Sequence, residues 1–424
     1  MIIDKNSDKL NKIFKRGELF DEKYLSIVMD ILKDVRVNGD KAVKSYTIKF
    51  DNHDLSKSYV IGQDELKSAF ENLESGLKNS LIKAEESIRF YHEKQMEKTW
   101  LINKNKGVIL GQKITPIKTV GIYVPGGKAV YPSSVLMNSV PANVAGVENI
   151  VMTTPAAHGK VKESVLAAAY LGGVRKVYKI GGAQAVAAMA YGTETVEKVD
   201  KIVGPGNIFV ALAKKLVFGF VDIDMIAGPS EITIIADESA RPQFVAADML
   251  SQAEHDEMAS SVLITDSRSL AEKVNAELKK QLDELPRKDI AEASIKEFGA
   301  IVLVENLEEA ANISDMIAPE HLELCVANPY ELMFKVRNAG AIFLGHYTPE
   351  AVGDYIAGPN HTLPTGGSAR FFSPLGAYDF LKRSSIVNFS KDALKECAED
   401  VIGIANSEEL TAHAKSVRIR IYEK

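Results

Sequence analysis

Thr119-Val-Gly-Ile-Tyr-Val-Pro-Gly-Gly127 is the stretch on which the fold turns. A short apolar run, residues 119–124, stops on Pro125-Gly126-Gly127, and residues 133–145 then read as a helix. Apolar runs of this length, rich in β-branched side chains and bounded by Gly and Pro, read as buried strands. The pattern repeats: strands at 150–154, 176–180, 201–203 and 231–236, and helices at 161–171, 183–190 and 207–216. Strand–helix alternation predicts a parallel, doubly wound sheet. Glycines fall where strands give way to helices: Gly126-Gly127, Gly181-Gly182 and Gly204-Pro205-Gly206. In open parallel sheets the ligand crevice forms at those carboxyl ends. A second alternation follows, with strands at 261–265, 301–304, 322–326 and 341–344. The expected class is α/β, with two Rossmann-like doubly wound units and a crevice between them.

The flanks differ. Residues 1–110 read mostly as helix, with apolar positions at helical period over 24–37 and a stop at Asn38-Gly39. Residues 65–96 predict a second long helix. Residues 345–373 are rich in Gly and Pro without periodicity, and stretches of that length usually carry function or are disordered. Residues 407–424 restart a helix with Ser407 as N-cap. The expected domains are an N-terminal segment, 1–24; a discontinuous α/β domain with a helical start, 25–113 plus 232–375; a Rossmann-like domain, 114–231; and a C-terminal tail, 376–424.

At 424 residues, with 46% hydrophobic and 25% charged residues, the chain has ample material for two or three cores. Its net charge of −6 argues against general nucleic-acid affinity. Cys325 and Cys397 form no CxxC pattern and suit a reducing compartment. No run of 18 apolar residues predicts a membrane span, and the first residues lack the pattern of a secretory leader, so the expected location is the cytoplasm.

No full GxGxxG is present, so the usual dinucleotide fingerprint fails. Each glycine turn alone reads as a tight turn. Three on one sheet edge point to a nucleotide or another anion. Gln252 and His255 are three apart on a helix expected to begin near Arg241, so they share a face. Asp354 and His361 lie seven apart on irregular backbone. A lone His is more often structural than a ligand, and Asp354 beside Gly353 also reads as a turn residue. Glu320 follows Pro319, which fits a helix start with an acid in its first turn. With His321 it also fits an acid–base pair: a carboxylate to activate water and an imidazole titrating near neutral pH. His413 by itself reads as surface.

Taken together and in order, these motifs resemble histidinol dehydrogenase. The matching stretches are Ile122-Tyr-Val-Pro-Gly-Gly, Tyr131-Pro-Ser-Ser-Val-Leu-Met, Gly181-Gly-Ala-Gln-Ala, Val203-Gly-Pro-Gly-Asn and Ala227-Gly-Pro-Ser-Glu, then Leu250-Ser-Gln-Ala-Glu-His, Ala318-Pro-Glu-His-Leu, Gly353-Asp-Tyr, Asn360-His-Thr-Leu-Pro-Thr and Glu408-Glu-Leu-Thr-Ala-His. Lys49-Phe-Asp is also compatible. The resemblance implies one zinc ion per subunit, held by Gln252, His255 and Asp354 with the partner subunit's His413 in an intertwined homodimer. It implies Glu320 and His321 as the catalytic pair. Ser230, His361 and Glu408 would contact the substrate together with His321 and the metal ligands. Tyr123, Gln184 and Asn207 would contact NAD. The tail would then be a dimerisation element. Glu408 and His413 are five apart, off one face of a regular helix, whereas Glu409 would share His413's face. The implied reaction is the four-electron oxidation of L-histidinol to L-histidine with two NAD, with zinc orienting the substrate. Rival readings are a related zinc dehydrogenase of another small polar alcohol, such as a sulfonated diol; a zinc hydrolase; and a non-catalytic metal-binding protein.

Overall fold

The computed structural model describes residues 1–16, 22–56, 59–105, 107–126 and 131–422. Gly127 of the first glycine turn lies outside them. Two six-stranded sheets and one three-stranded sheet organise the chain.

The first sheet contains β2 (Val60–Ile61), β5 (Thr119–Tyr123), β6 (Asn149–Thr153), β7 (Lys176–Tyr178), β8 (Lys201–Val203) and β9 (Asp222–Ile223). Their order is β2-β7-β6-β5-β8-β9, parallel except for β2 on the edge. The order reverses between β5 and β8, which places a crevice beyond their carboxyl ends. Helices Pro132–Val144, Glu163–Leu171, Gly182–Tyr191 and Ile208–Val217 connect the strands as the sequence predicts.

The second sheet contains β1 (Ile2–Asp4), β10 (Glu231–Ala236), β11 (Ser260–Thr265), β12 (Ala300–Leu303), β13 (His321–Cys325) and β14 (Ala341–Leu344). It is parallel throughout, in the order β1-β12-β11-β10-β13-β14. Every residue of β10, β11 and β13 is buried, as expected of strands covered on both faces.

The helical start packs on the first sheet, not on the second. In helix Glu22–Asp51, Val28, Ile31, Leu32 and Val35 share one core with Tyr123, Val151 and the buried alanines of helix Gly182–Tyr191. Small side chains there let the helix backbones approach closely. Gly39, at φ 50° and ψ −133°, breaks that helix as expected, but helical backbone resumes and runs on to Asp51. The single helix expected over 65–96 is two, Gln63–Asn72 and Ser75–Glu93, because the Glu74 carboxylate accepts the Gly76 and Leu77 N–H groups and starts a new helix.

Residues 96–117 and 380–424 form a separate compact unit. Here β15 (Leu381–Phe389) pairs antiparallel with β4 (Val108–Pro116), which pairs with β3 (Trp100–Asn105). The helical reading of 100–110 therefore fails, and these residues belong with the tail. Ser407 ends helix Lys391–Ser407 and does not cap the next, Thr411–Ile421, whose N-cap is Leu410. No described helix is long and apolar enough to cross a membrane.

A buried ion pair shapes the β8 turn. Lys214 donates to the Gly204 carbonyl at 2.8 Å and pairs with Asp224, whose other oxygen accepts the Gly204 N–H at 2.7 Å. Gly204 has φ 111°, and a Cβ there would stand 2.1 Å from the Tyr123 carbonyl oxygen. Lys214→Met leaves the buried Asp224 carboxylate without its counter-ion. It is expected to cost about 3–5 kcal/mol, read as a lower denaturant midpoint.

Candidate active site

The site assembles at the amino ends of β10 and β13, which pair in register with Ile232 opposite His321. Carboxyl ends were the expectation for glycine turns, and the first sheet follows it. In the second sheet the reactive side chains instead stand where the strands begin. Glu320 sits directly before β13, after Ala318 in left-handed backbone closes the preceding helix. The helix-start reading of Pro319-Glu320 is thereby removed.

The backbone of one residue, Glu231, grips both members of the pair. The Glu231 N–H donates to Glu320 Oε2 at 2.9 Å, and the Glu231 carbonyl oxygen lies 3.0 Å from His321 Nδ1. With Nδ1–H donated to that carbonyl, Nε2 is the basic nitrogen. It has no hydrogen-bond partner and lies 3.7 Å from Asp354 Oδ1 and 3.9 Å from Glu350 Oε1. Below, the buried Arg16 guanidinium is 3.5 Å from Glu231 Oε1 and donates to the Met258 carbonyl.

Gln252 ends helix Pro242–Ala253, fully buried, with its amide nitrogen 3.4 Å from His321 Nδ1 and its Oε1 unpartnered. His255 lies just past that helix and is exposed. Asp354 occupies the π-helical turn Gly353–Ala357, a local widening often found at functional sites. Burial opposes its ionisation, but His321, His361 and His255 around it win and hold its carboxyl below the usual range. His361 lies 3.2 Å from the Asp354 carbonyl oxygen through Nδ1 and 3.2 Å from Ser134 Oγ through Nε2. Ser230 stands directly before β10 and Glu231.

Sequence reasoning missed Glu350. It is buried four residues before Asp354, and its N–H donates to Glu323 Oε1 at 2.9 Å. Oxygen or nitrogen atoms of His321, Glu350 and Asp354 lie within 4.8 Å of one another, a set that could hold a cation. Its only signal in the sequence was the four-residue spacing from Asp354, which any surface helix also offers.

Tyr123 and Gln184 meet at the carboxyl edge of the first sheet. The Tyr123 hydroxyl accepts the Gly182 N–H at 3.0 Å, and both polar atoms of the buried Gln184 amide lack partners. Asn207 caps helix Ile208–Val217 through bonds from the Phe209 and Val210 N–H groups. Glu408 and His413 belong to the separate unit. Glu409 between them has φ 60°, so regular-helix spacing does not govern that pair.

A buried carboxyl–imidazole pair at one sheet edge and glycine turns at the carboxyl edge of another belong to an α/β fold, and the family match makes the chain an oxidoreductase. The histidinol dehydrogenase family profile matches residues 14–421, and the chain belongs to that family. A relative from Aquifex aeolicus named histidinol dehydrogenase is 55% identical over 98% of this chain and 97% of its own length. One from Bacillus subtilis with the same name is 53% identical over 94% and 93%. The crystal structure of histidinol dehydrogenase from Elizabethkingia anophelis superposes with a TM-score of 0.93 at 36% identity, over 99% of this chain and 96% of that one.

Burial pushes the Glu320 carboxyl up to about 8, against the opposing pull of His321 and the Glu231 N–H. An unfolded carboxyl releases its proton near 4.5, so between those values the folded chain holds a proton that the unfolded chain has lost. Stability from this group is full below about 4.5 and is lost as pH rises toward 8. Glu320→Gln is expected to make the fall of unfolding free energy across that window shallower, measured by denaturant titration at several pH values.

Proposed function

We propose that the chain oxidises L-histidinol to L-histidine with two NAD, and that Glu320 and His321 carry the proton transfers. The observation that supports this best is the two-sided hold of the Glu231 backbone on that pair, which leaves His321 Nε2 outside the backbone hydrogen bonds and facing Asp354 and Glu350. His321 accepts the alcohol proton while hydride leaves the carbinol carbon. The aldehyde stays bound. Glu320, as the anion, takes a proton from water and delivers hydroxide character to the aldehyde carbon. His321 releases its first proton to solvent and then takes a proton from the hydrate as the second hydride departs to NAD.

Gln252, His255 and Asp354, with the partner subunit's His413, would hold zinc. The buried, unpartnered Gln252 Oε1 and the ionised Asp354 suit a cation of that donor preference. Bound zinc would orient the imidazole and amine of the substrate. Ser230, His361 and Glu408 would line the substrate, and Tyr123, Gln184 and Asn207 the dinucleotide. A homodimer is part of the same reading: Trp100, Leu101, Ile102, Val387 and Phe389 expose apolar side chains on the 96–117 and 380–424 unit. The cytoplasm is the expected setting.

About two NADH per L-histidinol are expected, lost on stripping the metal with a chelator and restored by zinc. A hydrolase would form no NADH, and a dehydrogenase of a sulfonated diol none from histidinol. Glu320→Gln is expected to slow NADH formation from L-histidinal by about 100-fold or more while alcohol oxidation continues. Equal loss in both half-reactions would remove Glu320 from the hydration step.

A further inference from the structure

Asp51 ends helix Glu22–Asp51, where the helix dipole disfavours a carboxylate. It is half-buried, and its Oδ2 is shut from solvent with no hydrogen-bond partner. Such an atom costs stability unless a donor arrives from elsewhere. The neighbourhood is the nucleotide edge of the first sheet. The Gly181 N–H is directed at the carboxylate, and the Asp51 charge acts on the Tyr123 phenol. That phenol accepts the Gly182 N–H, and two residues on is Gln184, 1% exposed, with both amide atoms unpartnered. The start of helix Gly182–Tyr191 has no side-chain cap. Gly182 has φ 65°, and a Cβ there would come 2.7 Å from Gln184 Oε1, so the lining admits no added side chain at that point. A buried acceptor, an amide that both donates and accepts, and an uncapped helix start therefore lie together at this sheet edge.

We propose that Asp51 is the carboxylate that accepts the hydroxyls of the dinucleotide's adenosine ribose, and that it sets the preference for NAD over NADP. The assignment rests on the NAD-dependent reading above. A vicinal diol supplies two O–H donors, and an anionic acceptor bonds them more strongly than a neutral one. A 2′-phosphate removes one donor and brings like charge against the carboxylate. The same logic places an acid on the ribose in other dinucleotide folds. Here the acid comes from a helix outside the strand–helix repeat, which is why no spacing rule within that repeat finds it.

Two measurements test it. In the unmodified protein, ADP-ribose is expected to compete with NAD at least about tenfold better than 2′-phospho-ADP-ribose. Asp51→Asn is expected to raise KM for NAD about tenfold, hold kcat within about twofold, and cut the NAD-to-NADP ratio of kcat/KM by about tenfold or more. Asp51→Ser serves if the Asn variant does not fold. Equal competition by the two analogues, or an unchanged ratio in a folded, active variant, overturns the assignment. If the unmodified protein makes no NADH from L-histidinol, the substrate reading fails instead, and the ADP-ribose comparison still decides Asp51.

Discussion

The backbone of Glu231 is the constraint on which the site depends. Its N–H and carbonyl are fixed by sheet geometry, and they hold Glu320 and His321 in one orientation each. Side chains locked by backbone groups lose little freedom when substrate binds, which favours a preorganised site. The β10–β13 register sets this arrangement. Sliding β13 by one residue would turn His321 to the opposite face of the sheet. Beneath it, Arg16 keeps the Glu231 side chain from standing as an isolated buried charge.

Charge is concentrated around this edge. Glu231, Glu320, Glu323 and Glu350 are all buried, and burial pushes each carboxyl up. Asp354 alone among them goes down, because three imidazoles surround it. Carboxyls whose environments push them in opposite directions are suited to different tasks in one reaction. Asp354 stays an anion for a cation to meet, while Glu320 keeps its proton to higher pH and is a stronger base once it loses it.

Most of the α/β architecture was legible in the sequence, because buried parallel strands such as β5 and β8 are short apolar runs that give way to glycine turns. The strands β3 and β4 were not legible. Their side chains are mostly exposed or half-buried, and polar residues interrupt the apolar ones, so no clear period appeared. The grouping of the helical start was also hidden, since an apolar stripe specifies that a helix is covered but not by which sheet. At the site, Glu320, His321, Gln252 and Asp354 could be named because motifs carried them. Glu350 could not, since an acid on a helix has the same spacing whether it meets water or an interior, and Lys49-Phe-Asp51 carried the resemblance without any sign of what its acid faces.

The antiparallel pairing of β4 with β15 has a consequence for biogenesis. The two strands are separated in the chain by most strands of both large sheets, so β4 leaves the ribosome long before its partner exists. At roughly 5–20 residues per second, β4 waits on the order of tens of seconds with the edge that meets β15 unpaired and with Trp100, Leu101 and Ile102 exposed. During that interval the open edge of this hairpin is available for capture by a chaperone or by another unfinished copy.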